Sequence, residues 1–332
     1  MVIKKQKTIA THRAIASWAV LGIAAGLVCL VWLLWPRMNS ALPFEYNRSQ
    51  AEYNHTAKPQ YLAENHLWGA SIDPALSRQA AENTIIAIID TGVDFRSPYL
   101  QAARYTEPDG YELPDITDHG TKVAGILVGQ GEEYRGLLPD ERIISVQLEK
   151  TATDEVSIHS LIQAVETAVR YHPDIINISA GTRKDDPELH ALIKTVKEQG
   201  IIIVAAAGNT GSEVCDYPAA YDEVIAVGSV DRRKRISSFS STSEKIAIYA
   251  PGEKIATVAE ESIVSFSGTS AATPFVTALV ALLIAADPSL DFEAIQEILI
   301  DSADQVQQGN SQTVKVINYN RAIETIMRRR AA

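Results

Sequence analysis

The chain has 332 residues, 46% hydrophobic and 21% charged, a globular balance that permits one large domain or two small ones. Five basic and no acidic residues precede Met38, so the remainder carries 25 basic against 41 acidic residues, a net of −16. That charge argues against nucleic acid as a partner and suits a cationic substrate, although a merely soluble surface would carry it too. The two cysteines, Cys29 and Cys215, offer no disulfide framework, so stability must come from a large core.

Residues 14–35 contain no charge and one hydroxyl. At about 1.5 Å per residue they reach roughly 33 Å as a helix, enough to cross a hydrocarbon core. Trp18, Trp32 and Trp35 lie near the ends, as interfacial anchors do. The segment reads as an uncleaved signal anchor in the cytoplasmic membrane; a cleaved signal peptide, and hence a secreted protein, is the alternative. Four basic side chains precede it and one follows closely. By the positive-inside rule residues 1–13 are cytoplasmic and everything from Arg37 onward faces outside. Residues 36–60 are polar, with three prolines, and read as a stem; residues 61–332 form the folded domain, opening with short helices at 61–81 and Trp68 as a packing anchor.

From there apolar runs alternate with helical periods. Strands are expected at 84–89, 142–148, 174–178, 201–206, 224–230 and 245–248, and helices at 121–128, 157–171, 186–199, 292–305 and 317–327. Residues 328–330 read as a solvated basic tail. This alternation predicts an α/β fold, a doubly wound, mostly parallel sheet with helices on both faces, preceded by one transmembrane helix. Such sheets bind ligands beyond the carboxyl ends of their strands, where Asp90, Ser179 and Asn209 stand. At 265–287 a Gly-Thr-Ser turn runs into an apolar helix that must be buried on all sides. Ser270 falls in its first turn, where free N–H groups and the dipole favour a developing negative charge. Pro274 is expected in that same turn, where its missing N–H costs little.

Four segments carry the chemistry: I-I-A-I-I-D-T-G-V-D ending at Asp94, D-H-G-T-K-V-A-G from Asp118, A-A-A-G-N-T-G from Ala205, and the serine turn. In these motifs and their order the chain resembles the subtilisin-like serine proteases, from about Trp68 to Ile326. The resemblance implies Ser270 as nucleophile, His119 as general base, Asp90 as its orienting acid, and Asn209 as a side-chain donor to the oxyanion. It implies that Ser179, Ala180 and Gly181 pair with the substrate backbone; a tight strand-to-helix turn would need the same small residues. In V-C-D-Y-P, Asp216 resembles the floor of the primary specificity pocket, where an acid would favour Arg or Lys before the scissile bond. An exposed loop acid ahead of a Tyr-Pro turn is the other reading. Asp154 and Glu155 are candidates for the opposite side of the cleft, and Cys215 for a small buried residue.

Three departures stand out. Lys122 takes the place of a second histidine, Ala271 the place of a commoner methionine, and residues 129–136 are shorter than the family's calcium-binding loop. No metal ligands are assigned, no cofactor is expected, and calcium dependence is in doubt. No inhibitory prodomain is evident between span and domain. The expected activity is endoproteolysis of polypeptide substrates outside the membrane. Maturation of one exported peptide, and an inactive peptide-binding pseudoprotease, are the alternatives.

Overall fold

A computed structural model describes residues 72–108, 117–148, 156–309 and 312–331, all within the compact unit Tyr53–Ala332. The expected span at 14–35, the stem at 36–60, Trp68, Asp154 and Glu155 lie outside the described residues. Isoleucine-rich strands with no polar face need cover on both sides, and they receive it. After α1 (Pro74–Asn83), the chain lays down β1 (Ile85–Asp90), β2 (Arg104–Thr106), α2 (His119–Val128), β3 (Arg142–Gln147), α3 (Ile158–Val169), β4 (Ile175–Ile178), α4 (Pro187–Glu198), β5 (Ile202–Ala206) and β6 (Ile225–Val230). There follow β7 (Ile248–Pro251), the antiparallel pair β8 (Ile255–Ala259) and β9 (Ser262–Phe266), α5 (Thr269–Ala286), α6 (Phe292–Ser302), β10 (Asp304–Gln308), β11 (Gln312–Val316) and α7 (Tyr319–Ala331).

Nine strands form one sheet in the order β10-β11-β7-β6-β5-β4-β1-β3-β2, parallel except between β10 and β11. Alternation along β1 shows the two layers: Ile86 and Ile88 pack with α1, α2, α5, α6 and α7, while Ala87 and Ile89 pack with α3 and α4. This is the expected doubly wound sheet. Among the described residues α5 is the one helix long and apolar enough to cross a membrane. Every residue in it but Ile284 is buried in the protein, so it is the core helix. The strand order reverses at β1, which pairs with β3 on one side and β4 on the other. That switch point is where an open parallel sheet leaves a crevice.

Some expectations need correcting. The helix expected at 292–305 ends at Ser302, and D-Q-V-Q-Q then pairs antiparallel with 312–316. The strand expected at 245–248 starts only at Ile248. β2 and the β8–β9 pair are additional, because polar or short stretches hide a strand's period. Arg328–Arg330 is solvent-exposed as expected, but it is helical and not a tail: it lies in α7's last turn, where cations favour the helix dipole, and Arg328 and Arg329 meet Glu324 at 3.4 Å and Glu297 at 3.1 Å.

At the opposite end of the sheet from the crevice, Glu141 is fully buried just before β3. It accepts hydrogen bonds from Thr84 Oγ1 at 3.1 Å and from the Arg142 N–H at 3.0 Å. Burial outweighs these bonds and pushes its carboxyl up to about 7. A folded-state value above the unfolded one means that the native state holds an extra proton between about pH 4.5 and 7, so stability falls as pH rises through that window. In a Ser270→Ala background, denaturant melts from pH 5 to 8 should show a loss on the order of 2–3 kcal/mol that Glu141→Gln largely removes. Equal slopes in the two proteins would contradict this assignment.

Candidate active site

Asp90 is the last residue of β1, His119 the first of α2 and Ser270 the second of α5. Three features of the chain bring α2 against β1. Asp118 turns in the left-handed region at φ 55°. Thr91 Oγ1 accepts the Gly120 N–H at 3.1 Å. Gly120 itself packs so tightly that a Cβ there would lie 2.0 Å from the Gly92 carbonyl oxygen. The His119 ring is therefore delivered to Asp90, with Nδ1 and Oδ1 2.7 Å apart. Asp90 is 1% exposed, and the same oxygen accepts the Thr91 N–H at 2.7 Å. Donation from Nδ1–H to the carboxylate fixes the tautomer and leaves Nε2 basic. The edge-to-face contact with Phe266 of β9, centroids 5.3 Å apart, holds the ring from another side.

Ser270 is held by β4. Pro274 lies inside α5, beyond the first turn where it was expected, and so removes the N–H that would meet the Ser270 carbonyl four residues back. Ser179 Oγ donates to that carbonyl at 3.2 Å, while Ser270 Oγ donates to the Ser179 carbonyl at 3.0 Å. Behind this exchange, Asn177 Nδ2 donates to Ser179 Oγ at 3.1 Å and Thr277 Oγ1 donates to Asn177 Oδ1 at 2.9 Å. All four residues are buried. Asn177 and Thr277 were not singled out in the sequence, though a lone polar residue in I-I-N-I and another in an apolar helix were the available signal.

Asn209, exposed beyond β5, has its Oδ1 taken by the Thr269 N–H at 2.8 Å and Thr269 Oγ1 at 3.1 Å. That pairing turns Nδ2 the other way. A Cβ on Gly268 would lie 3.5 Å from Asn209 Nδ2, 3.7 Å from Asn209 Oδ1 and 3.6 Å from the Ser270 N, so the whole side-chain amide and the serine N–H border the same turn. The Asn209 amide and the Ser270 N–H thus lie close together at the positive end of α5, where the helix dipole favours negative charge.

Ala180 and Gly181 continue from Ser179 and are partly exposed. Asp216 sits between this segment and the β5 loop. A Cβ on Gly181 would be 3.0 Å from Asp216 Cβ, and one on Gly208 would be 2.4 Å from its Oδ2. Its Oδ1 is buried with no hydrogen-bond partner among the described residues, and burial raises its carboxyl above the usual range. Cys215 is buried in the core with its thiol pushed up to about 12, an inert position. The turn at 129–136 closes on itself through Gly136 N–H donating to the Gly129 carbonyl at 2.7 Å. Among the described residues no three His, Cys, Asp or Glu side chains gather as metal ligands.

A serine at the N-terminus of a buried helix, a histidine tied to a buried carboxylate, and an amide side chain beside the serine N–H, all on a parallel α/β sheet, define a serine hydrolase of the acyl-transfer type. Residues 81–316 match the Subtilase family (Peptidase_S8), and the chain belongs to that family of serine peptidases. It is 33% identical over 237 residues to the major intracellular serine protease of Bacillus subtilis (strain 168), across 67% of this chain and 73% of that one. It is also 33% identical over 231 residues to the minor extracellular protease Epr of the same strain, and spans 36% of Epr's length. Among solved structures, the prenylagaramide maturation protease PagA superposes with a TM-score of 0.68 at 28% identity, covering 76% of this chain and 99% of PagA.

Ser179→Ala should strand the buried Ser270 carbonyl that Pro274 has already deprived of a helical donor. Measured by urea melts against Ser270→Ala alone, the Ser179→Ala, Ser270→Ala pair should be less stable by about 1–2 kcal/mol. No loss would mean that the carbonyl finds another donor.

Proposed function

We propose that this chain is a serine endopeptidase that hydrolyses polypeptides through an acyl-enzyme. The observation that carries this reading is the His119–Asp90 pair at the end of β1 together with Ser270 at the N-terminus of α5, its N–H beside the Asn209 amide. As Ser270 Oγ leaves the Ser179 carbonyl and bonds to the substrate carbonyl carbon, its proton passes to His119 Nε2, and Asp90 stabilises the imidazolium. The tetrahedral oxyanion is held by the two donors. Its collapse returns the proton to the leaving amine, and the same base then activates water against the ester. Side chains and backbone carry every step of this chemistry, so it draws on no cofactor. A pseudoprotease would have lost one of Asp90, His119, Asn209 or Ser270, and all four are present.

The substrate is read as an extended chain pairing with Ser179–Gly181, with Arg or Lys before the scissile bond meeting Asp216. The enzyme is read as anchored by residues 14–35, with its catalytic domain outside the cytoplasmic membrane. A narrower task, maturation of one exported peptide, is favoured by the likeness to PagA, itself a maturation protease. Cleavage products found in wild-type cells and missing from Ser270→Ala cells would separate that task from general degradation.

Asn209→Ala should lower kcat about 10²- to 10³-fold with little change in KM, the size of loss established for one such donor in subtilisin, a relative of this chain. An unchanged kcat would remove Asn209 from the oxyanion site. On matched peptides, Asp216→Gly should abolish a preference for Arg over Leu that wild type shows only at pH values where the carboxylate is ionised, above the ordinary carboxylate range because the group is buried. Equal cutting after Arg and Leu by both proteins would overturn the basic preference.

A further inference from the structure

Thr182 and Tyr217 form an antiparallel bridge, with the Thr182 N–H donating to the Tyr217 carbonyl at 2.9 Å and the Tyr217 N–H to the Thr182 carbonyl at 2.7 Å. Arg183 directly follows Thr182 and Asp216 directly precedes Tyr217, so the bridge brings the two residues to the same end of the paired segments. Gly181 packs closely on the same acid, since a Cβ there would lie 3.0 Å from Asp216 Cβ. Arg183 is exposed and Asp216 half-buried. The guanidinium's field opposes the effect of burial on the Asp216 carboxyl, and it is the cation whose charge acts on that group. Asp216 Oδ1 meanwhile has no hydrogen bond among the described residues.

We propose that Arg183 is a specificity-determining residue, a built-in counter-ion that competes with the cationic side chain of an incoming polypeptide for Asp216. The proposal rests on the reading of Asp216 as the floor of the specificity pocket. With the pocket empty, Arg183 offsets the carboxylate's charge. When a substrate Arg or Lys enters, two cations share one carboxylate, and their repulsion subtracts from the gain. The pocket then selects basic residues moderately, and cleaves other sequences at an appreciable rate. Because Arg183 is exposed, the competition is screened and weakens as salt is added.

The test uses the full chain and peptide pairs that differ only in Arg or Leu before the scissile bond. At low ionic strength, Arg183→Gln should raise the Arg-over-Leu ratio of kcat/KM by about two- to fivefold, chiefly through KM. Arg183→Lys should restore the wild-type ratio, added salt should erase the gain, and the pH at which the Arg preference sets in should move upward in Arg183→Gln. In an Asp216→Gly background Arg183→Gln should have no effect on the ratio. An unchanged or lower ratio in Arg183→Gln, while Asp216→Gly still lowers it, would overturn the counter-ion and leave the pocket reading standing. A gain that persists in the Asp216→Gly background would show that Arg183 acts elsewhere and would equally overturn the proposal. If neither substitution moves the ratio, both readings fall. A wild type that lacks a basic preference, gains one in Arg183→Gln and loses it in the double variant would uphold the counter-ion and correct the substrate reading alone.

Discussion

The exchange of two hydrogen bonds between Ser179 and Ser270 is the constraint on which the site depends. α5 cannot bond its own Ser270 carbonyl because Pro274 stands four residues on, and β4 cannot continue its ladder because the chain leaves the sheet after Ile178. Each end supplies what the other lacks. The result ties the nucleophile's helix to the strand that borders the substrate cleft, and Asn177 and Thr277 extend the tie one layer deeper. A nucleophile on a loop would have to be ordered at each turnover. Here the ordering is built in, and α5's burial in the core carries it through the fold.

Charge is placed with similar economy. Asn209 gives its oxygen to Thr269 beside the N-terminus of α5, where the helix dipole favours negative charge. Asp90, nearly without exposure, is tied to His119 and the Thr91 N–H. Asp216 is the contrasting carboxylate, half-buried, with one oxygen that has no hydrogen bond among the described residues. In an acidic domain such a carboxylate acts through its depth and its near neighbours, because distant charges are screened.

Much of this was legible in the sequence, for physical reasons. Buried parallel strands read as isoleucine runs, so β1, β3, β4 and β5 were visible, and polar residues just beyond their ends marked the crevice. The Asp90, His119, Asn209 and Ser270 motifs each sit at a turn whose small residues are needed for close approach, as Gly120 shows. What stayed hidden has no local period. β10 is polar on both faces, and β2 is three residues long. The hydrogen bonds among Asn177, Ser179, Ser270 and Thr277 join residues 91 and 100 positions apart, which no window along the chain can see. Pro274 was noticed, but its consequence depends on a donor from another strand. Arg183 became meaningful only when the Thr182–Tyr217 bridge brought its segment beside that of Asp216.

The central claim is that Ser270 is a nucleophile activated by His119. Its most direct test is the intact mass of the protein after exposure to a fluorophosphonate, with the modified peptide mapped. A single adduct on Ser270, missing in Ser270→Ala and formed far more slowly in His119→Ala, is the predicted result. No adduct on the wild-type chain, or one that forms equally fast without His119, would contradict it.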